Sequence, residues 1–264
     1  MVGEQHLSGP GAGGGTIRIG DTTRRTEERA PEAMRLVLQH LETVGFDGAP
    51  RLCGQDEFGR WILTYIPGEV ALPPYAGWVA CHKTLASVAK LLRRYHDAVA
   101  SLGVPRNIKW PTIPPSGFEG NLLGHMDVSM ANVVCRNGIA IALIDFEEVG
   151  PVTPLWDVVR TARYWVPLLD PVDLTGSLDR LDGNATLRLA LFADTYGLED
   201  HDRVRLVDAA LLNADISYER MRQRAAAGHV GGLAEWAGVA ALRNRRTRAW
   251  IAAHRTELDR ALGV

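Results

Sequence analysis

The stretch GHMDVSMANVV, residues 124 to 134, sets His125, Asp127 and Asn132 at the spacing H-x-D-x-x-x-x-N just ahead of β-branched residues. Asp and Asn are ordinary loop residues, so this spacing alone is a weak signal and a polar turn is the competing reading. The segment that follows strengthens it. NVVCRNGIAIALIDFEEVG carries Asn137-Gly138 between two β-branched runs, a pair suited to a type I′ hairpin turn because both central residues need positive φ. With the turn there, Asn132 is expected to face Leu143. Asp145 then lies further along the same face, where a diagonal neighbour sits roughly 7–8 Å away. A carboxylate and a carboxamide meeting in this way offer hard oxygen ligands of the kind Mg²⁺ takes when water and phosphate oxygens complete its shell. Asp127, on the loop upstream, stands beyond that ion and can accept a hydroxyl proton. A base on the nucleophile and a divalent cation on the transferred group are the parts phosphoryl transfer needs. His125 belongs to the same constellation, as a hydrogen-bonded anchor of the loop.

Such a loop needs a scaffold, and the chain is large enough to supply one. Its 264 residues are 46% hydrophobic, enough for one large domain or two lobes. A net charge of -2 gives no general electrostatic reason to expect nucleic acid or an anionic membrane as partner. Cys53, Cys81 and Cys135 are scattered and form no C-x-x-C pair, which fits a reducing compartment. No apolar run approaches the roughly 18 residues that span a bilayer, and the N-terminus lacks the basic flank and apolar stretch of a signal peptide, so a cytoplasmic location is expected. The histidines show no zinc-binding spacing, and no repeat is visible. Oligomeric state is left open.

Along the chain, residues 1–15 read as a flexible Gly-rich leader and TIRIGDTTRR as a β-ribbon turning at Gly20-Asp21. Pro31 suits the first turn of a helix with apolar positions Met34, Val37, Leu38, Leu41 and Val44 and with Gly45 at its end. APRLCGQDEFGRWILTYIPGEV reads as two strands around a Glu-Phe-Gly turn. From about residue 78 the periodicity is helical, with Leu85, Val88, Leu91, Leu92, Tyr95 and Val99 in one stripe. A Pro-rich connection leads into the opening motif, and after residue 155 the pattern is helical nearly to the end. ALRNRRTRAWIAAHR places Arg243, Arg246 and Arg255 around a helix whose Leu242, Trp250 and Ile251 are expected to pack inward, so an exposed basic face explains it better than nucleic-acid binding.

The residues from 124 to 165 resemble the catalytic and metal-binding segments of the aminoglycoside phosphotransferase-like small-molecule kinases, relatives of the protein kinases. The match extends into GPVTPLWDVVRTARYW, where those kinases have a Gly-Pro turn and an Asp opening a helix. HLETVGFDGAPRLCG, GRWILTYIPGEV and LLRRYHDAVASL are similar in pattern to bacterial members of the group. The resemblance implies an α+β, bilobal protein-kinase-like fold, with a small β-rich N-terminal lobe over residues 16–68 and a larger, mainly α C-terminal lobe over residues 69–264. It implies transfer of the γ-phosphate of ATP, with GTP not excluded, to a hydroxyl of a small-molecule acceptor such as an antibiotic or metabolite. Asp127 is then the catalytic base, Asn132 and Asp145 hold Mg²⁺, and Asp157 braces the catalytic loop.

Two departures from that pattern matter. Met126 stands where those kinases usually have glycine or another small residue. They also place a phosphate-binding lysine on a strand of the first lobe, yet no lysine precedes Lys83. The cations available are Arg18, Arg24 and Arg25; an arginine can grip phosphate bidentately but is not equivalent to lysine. Arg24 or Arg25 is expected to take the role, with Glu32 or else Glu28 as the acid partner on the following helix. A solvated ribbon edge is the alternative for these charges. Gly11 to Gly15 could close over phosphates, and Tyr65 and Ile66, in the stretch Thr64 to Gly68, are expected to meet the nucleotide base through main-chain atoms. For the acceptor, the acids of the Leu198-Glu199-Asp200-His201-Asp202 cluster and Asp215 and Glu219 on a helix are candidates, although a solvated loop and a solvated helix face explain them better. The missing lysine keeps a second class open: a weakly catalytic or non-catalytic nucleotide-binding protein on a kinase scaffold, with an immunity or regulatory role.

Overall fold

The computed structural model describes residues 4–7, 16–25, 31–174, 184–228 and 238–264. The ribbon forms as expected: β2 (Thr16–Ile19) and β3 (Thr22–Arg25) pair antiparallel around Gly20-Asp21, with Gly20 at φ 60°. β1 (Glu4–Leu7) pairs along the outer edge of β2, so these four residues belong to the sheet and not to a leader. Their own sequence, EQHL, is too short and polar to announce a strand; the open edge of β2 provides the pairing. Gly11 to Gly15 and Glu28 lie outside the described residues. β4 (Leu52–Gln55) and β5 (Trp61–Thr64) complete a five-stranded antiparallel sheet in the order β1-β2-β3-β5-β4.

Helix α1 (Pro31–Thr43) follows β3 and buries Ala33, Met34, Val37, Leu38 and Leu41, the stripe that its three- and four-residue spacing requires. Val44 was expected on that stripe but is exposed, because the helix stops at Thr43 and the chain turns through Gly45 at φ 73°, where the Phe46 N–H bonds the Leu41 carbonyl at 2.8 Å.

The second lobe is mainly helical. α2 (His82–Val99) is its central element, and Leu85, Val88, Leu91, Leu92, Tyr95 and Val99 are all buried. Around it lie α3 (Pro154–Trp165), α4 (Ala185–Tyr196), α5 (Asp200–Ala226), α6 (Val239–Ala253) and α7 (Arg255–Leu262). Two small antiparallel pairs carry the polar motif: β6 (Leu122–Gly124) with β9 (Gly150–Val152), and β7 (Val133–Arg136) with β8 (Ile139–Leu143). A small β-rich lobe and a larger, mainly α lobe are therefore observed, as the sequence implied.

Leu242 is a second misplaced apolar residue: it is 55% exposed, whereas Ile251 is buried and Trp250 packs at the edge of the core. The arginines of this region hold acids of the same chain. Arg246 pairs with Asp173, Arg255 with Asp208, and Arg243 donates to the Asp173 carbonyl at 2.9 Å. Among the described residues no helix is long and apolar enough to cross a membrane.

The contrast between the two leucines can be measured. Leu85→Ala, in the fully buried stripe of α2, should cost about 2–5 kcal/mol in urea unfolding, while Leu242→Ala should stay within about 0.5 kcal/mol of the parent.

Candidate active site

The motif loop leaves β6 at Gly124, and α3 supplies several of the contacts that hold it. Asp157, in the first turn of α3 and fully buried, accepts from the main-chain N–H groups of His125 at 2.7 Å and Met126 at 2.8 Å. His96 of α2 meets the same carboxylate through Nε2 at 3.0 Å, and its Nδ1 lies 2.7 Å from the Tyr196 hydroxyl. Burial by itself would push the Asp157 carboxyl up, but the His96 hydrogen bond and charge, the nearby His125 and the Met126 N–H together hold it below its ordinary value. Gly124 permits this approach, since a Cβ built there would come within 3.0 Å of Asp157 Oδ2 and 2.5 Å of a Val152 methyl.

Further along, Arg160 donates to the Met126 carbonyl and Trp165 Nε1 to the Val128 carbonyl at 3.0 Å. Met126 has φ 66°, a conformation in which glycine is unstrained, which gives a backbone reason for the small residue that the resemblance leads one to expect there. Here the hydrogen bonds to Met126 N–H and carbonyl fix that conformation, and the Met126 side chain is buried in the core. His125 is buried too. Its Nε2 faces the Ile144 carbonyl at 3.1 Å and its Nδ1 the Asp127 N–H at 3.3 Å, which together select the Nε2–H tautomer of a neutral ring. Burial lowers its pKa, in keeping with an anchoring role. Beneath the loop, the rings of Phe46, Tyr95, His125 and Phe146 form one packed cluster.

Asp127 is partly buried and bonded to Asn132, whose Nδ2 donates to its carbonyl at 2.9 Å and to its Oδ2 at 2.7 Å. Burial raises the Asp127 pKa; His125 and Arg160 oppose the rise, and the charges of Asp145 and Glu148 add to it. The two N–H bonds spent on Asp127 leave Asn132 Oδ1 as the atom available to a cation.

Asp145 reaches this neighbourhood by a route that differs from simple strand pairing. The hairpin turns at Asn137-Gly138, both at positive φ, but the register shifts between Val134 and Cys135. Ile141 is the extra residue of a β-bulge, so Leu143 faces Val133, and the Ile144 N–H bonds the Asn132 carbonyl at 2.9 Å. Asn132 does not face Leu143, and strand alternation does not set the two side chains on one face. The left-handed conformation of Asp145, φ 70° and ψ 71°, turns the chain out of the strand and sets its charge near Asp127.

The first lobe contributes Arg25. From the end of β3 its guanidinium reaches Asp145 Oδ1 at 3.1 Å and Glu147 Oε1 at 2.8 Å, across the junction of the lobes. Arg24, its neighbour, points elsewhere and bonds Thr22 at 2.6 Å, with Asp56 at 3.7 Å. Alternation along β3 thus separates the two arginines. Glu32 is not brought to Arg25: it sits on the exposed side of the first turn of α1, and among the described residues no ion pair joins them. Glu147, which the sequence did not single out, is an acid beside Arg25 instead, and its adjacency to Asp145 was the signal available. Arg18 stacks over the Tyr65 ring at 3.8 Å. The Tyr65 N–H is engaged by the Asp21 carbonyl at 2.8 Å, whereas the Ile66 main chain has no hydrogen bond among the described residues.

No group of three His, Cys, Asp or Glu residues among the described residues could hold a metal ion. Asp145 with the Asn132 carboxamide oxygen is a two-donor oxygen set, which fits Mg²⁺ completed by water and phosphate but not a dedicated protein cage. Of the acids considered for an acceptor, Asp215 pairs with Arg248 at 2.6 Å and Glu219 with Arg222 at 2.7 Å, and Asp202 lies 3.6 Å from His201.

No family model matches the chain. It is similar to the trifolitoxin immunity protein of Rhizobium leguminosarum bv. trifolii, 32% identical over 238 residues that cover 86% of each chain. Among solved structures it is similar to a choline/ethanolamine kinase family protein from Mesorhizobium loti, at TM-score 0.66 and 15% identity, covering 98% of this chain and 92% of that one. An aminoglycoside phosphotransferase in complex with gentamicin superposes at TM-score 0.57 and 13% identity, with 97% and 90% covered. These neighbours share the protein-kinase-like fold of small-molecule kinases, the fold that the motif resemblance implied.

Removal of the brace tests the loop's construction. Asp157→Ala leaves two buried N–H groups and His96 without their acceptor and should destabilise the chain by about 3–5 kcal/mol. Because the folded pKa of Asp157 lies below the unfolded value of about 3.9, its contribution is complete above that pH and lost as pH falls through the folded value. The stability gap between parent and variant should therefore narrow only in strong acid, as thermal unfolding over a pH series will show.

Proposed function

The chain belongs to the family of the trifolitoxin immunity protein, and on that premise we propose that it is a phosphotransferase that moves the γ-phosphate of a nucleoside triphosphate, ATP in the first instance, to a hydroxyl of a small molecule. The observation that carries this reading is the Asp127 carboxylate: partly buried, raised in pKa, fixed by Asn132, and seated on a loop braced by Asp157 beside Asp145. A structural turn has no need of a carboxylate held at such cost.

In the proposed reaction Asp127 Oδ accepts the proton of the acceptor hydroxyl as its oxygen forms a bond to the γ-phosphorus. The bond from that phosphorus to the bridging oxygen breaks, and the nucleoside diphosphate leaves with the electron pair. Asn132 Oδ1 and Asp145 are the residues that would hold Mg²⁺, which when bound neutralises charge on the phosphates. Arg25 takes the place of the absent first-lobe lysine, and the Ile66 main chain is the place for the base.

A second reading, a nucleotide-binding immunity factor with little turnover, is favoured by one specific contact. Arg25 already grips Asp145 and Glu147, so the phosphate-binding cation and the metal-binding carboxylate neutralise each other until a nucleotide separates them. Phosphorus NMR of the full chain with Mg-ATP and a panel of hydroxyl compounds decides between the two. Phosphorylated product supports the first reading; nucleotide binding with no transfer to any of them establishes the second.

Two substitutions sharpen that test. Asp127→Asn should lower kcat roughly 10²- to 10⁴-fold. It should also raise Tm at neutral pH, because a carboxyl whose folded pKa is raised costs stability when charged, and this gain should vanish below about pH 4. Arg25→Ala should raise the nucleotide Kd about ten- to a hundredfold, the loss of a charged hydrogen bond of roughly 1.5–3 kcal/mol, whereas Arg24→Ala should change it little. Equal responses of the two would remove the phosphate role from Arg25.

A further inference from the structure

The second lobe contains a cavity of about 440 Å³ against the motif loop, within the size range of small-molecule sites. Ser129, Met130 and Ala131 form one wall, so the loop that carries Asp127 continues directly into it, although Asp127 itself is not part of the lining. Leu72, Tyr164, Leu168, Met221 and Ile251 make the body of the cavity apolar.

Among the described residues its charged groups have one sign. Arg163 of α3 and Arg243 of α6 both line it, and neither has a carboxylate partner among the described residues: Arg163 donates to the Ser217 hydroxyl at 2.8 Å and Arg243 to the Asp173 carbonyl at 2.9 Å. No Asp or Glu belongs to the lining among the described residues. The nearby acids are held by other cations, Asp173 by Arg246 and Asp215 by Arg248.

Asn213 of α5 gives an independent sign of a ligand. It lines the cavity, is only 3% exposed, and its Oδ1 is buried with no hydrogen-bond partner among the described residues. Buried polar atoms are nearly always paired, and leaving one unpaired costs about as much as losing a hydrogen bond, so an acceptor oxygen held in this way is matched to a donor on something that enters. Asn244 and Thr247, both buried, add further polar side chains on the α6 side.

We propose that this cavity binds an apolar hydroxy acid, with its carboxylate on Arg163 and Arg243, a hydroxyl or amide donor on Asn213 Oδ1, and a second hydroxyl extended past Ser129 toward Asp127. That such a compound is also the phosphate acceptor rests on the phosphotransfer reading. A polycation or a simple amino alcohol meets two guanidiniums here and, among the described residues, no carboxylate to offset them.

The test screens aryl- and alkyl-hydroxycarboxylates against amino alcohols of the same carbon skeleton, by ligand-observed NMR on the full chain with and without Mg-ATP. Hydroxy acids should bind in preference, at least tenfold over their amine counterparts. Arg163→Gln and Arg243→Gln should each remove most of that preference, and Ala210→Trp, which fills the cavity from α5, should abolish binding; retained thermal stabilisation by Mg-ATP shows that each variant is folded. A preference for the amines, no preference, or hydroxy-acid binding indifferent to these variants overturns the proposal. Binding without phosphorylation supports the cavity assignment and counts against the transfer reading, and phosphorylation confined to amino alcohols does the reverse.

Discussion

The candidate site depends on one carboxylate that has no part in the proposed chemistry. Asp157 receives two main-chain N–H groups of the motif loop and the ring of His96, and so ties α2, α3 and the β6 exit to a single buried point. The loop could not hold its shape otherwise, because Met126 is in a left-handed conformation that a β-carbon disfavours by roughly 1–2 kcal/mol. Charge-assisted hydrogen bonds from the main chain exceed that cost, and they do so only where glycine at 124 lets the carboxylate come close. The placement of Asp127, its direction, its burial and its bond to Asn132, follows from that fixed backbone.

The same economy of charge governs the junction of the lobes. Arg25 joins a strand of the small sheet to Asp145 and Glu147 of the large lobe, so the ion pair is a structural link and, on the proposed function, the place where a phosphate would compete. Both sides are partly exposed, which limits what the link contributes to stability and keeps it exchangeable. An arginine suits this position because its fork spans two carboxylates simultaneously, which a lysine cannot do with the same geometry.

Much of this was legible beforehand. The ribbon, α1, the β4–β5 pair and the buried stripe of α2 are periodic segments with strong end signals, and periodicity reports burial directly. That Asp127 and Asn132 meet on one loop was legible because their spacing is local, whereas Asp157 was pointed to by the resemblance and its contacts with the loop are a finding of the fold. The errors have common causes. Val44 and Leu242 continue an apolar pattern past the point where the structure uses it. β1 is a strand only because β2 offers an open edge. The pairing of Asn132 with Leu143 failed because a bulge at Ile141 leaves no trace in composition.

The amino-acid sequence by itself determined which side chains could do chemistry and which segments would be helix or strand, since both follow from residue type and near-neighbour spacing. Which of Arg24 and Arg25 reaches across to the second lobe was decided only by the tertiary structure. The two differ by one position, and strand alternation sends one toward Asp56 and the other across the lobes. So too with the acid beside Arg25 and the sign of charge in the cavity beside the loop. Those depend on which of many arginines and carboxylates meet through space, and pairing between residues a hundred or more positions apart is set by packing, not by pattern.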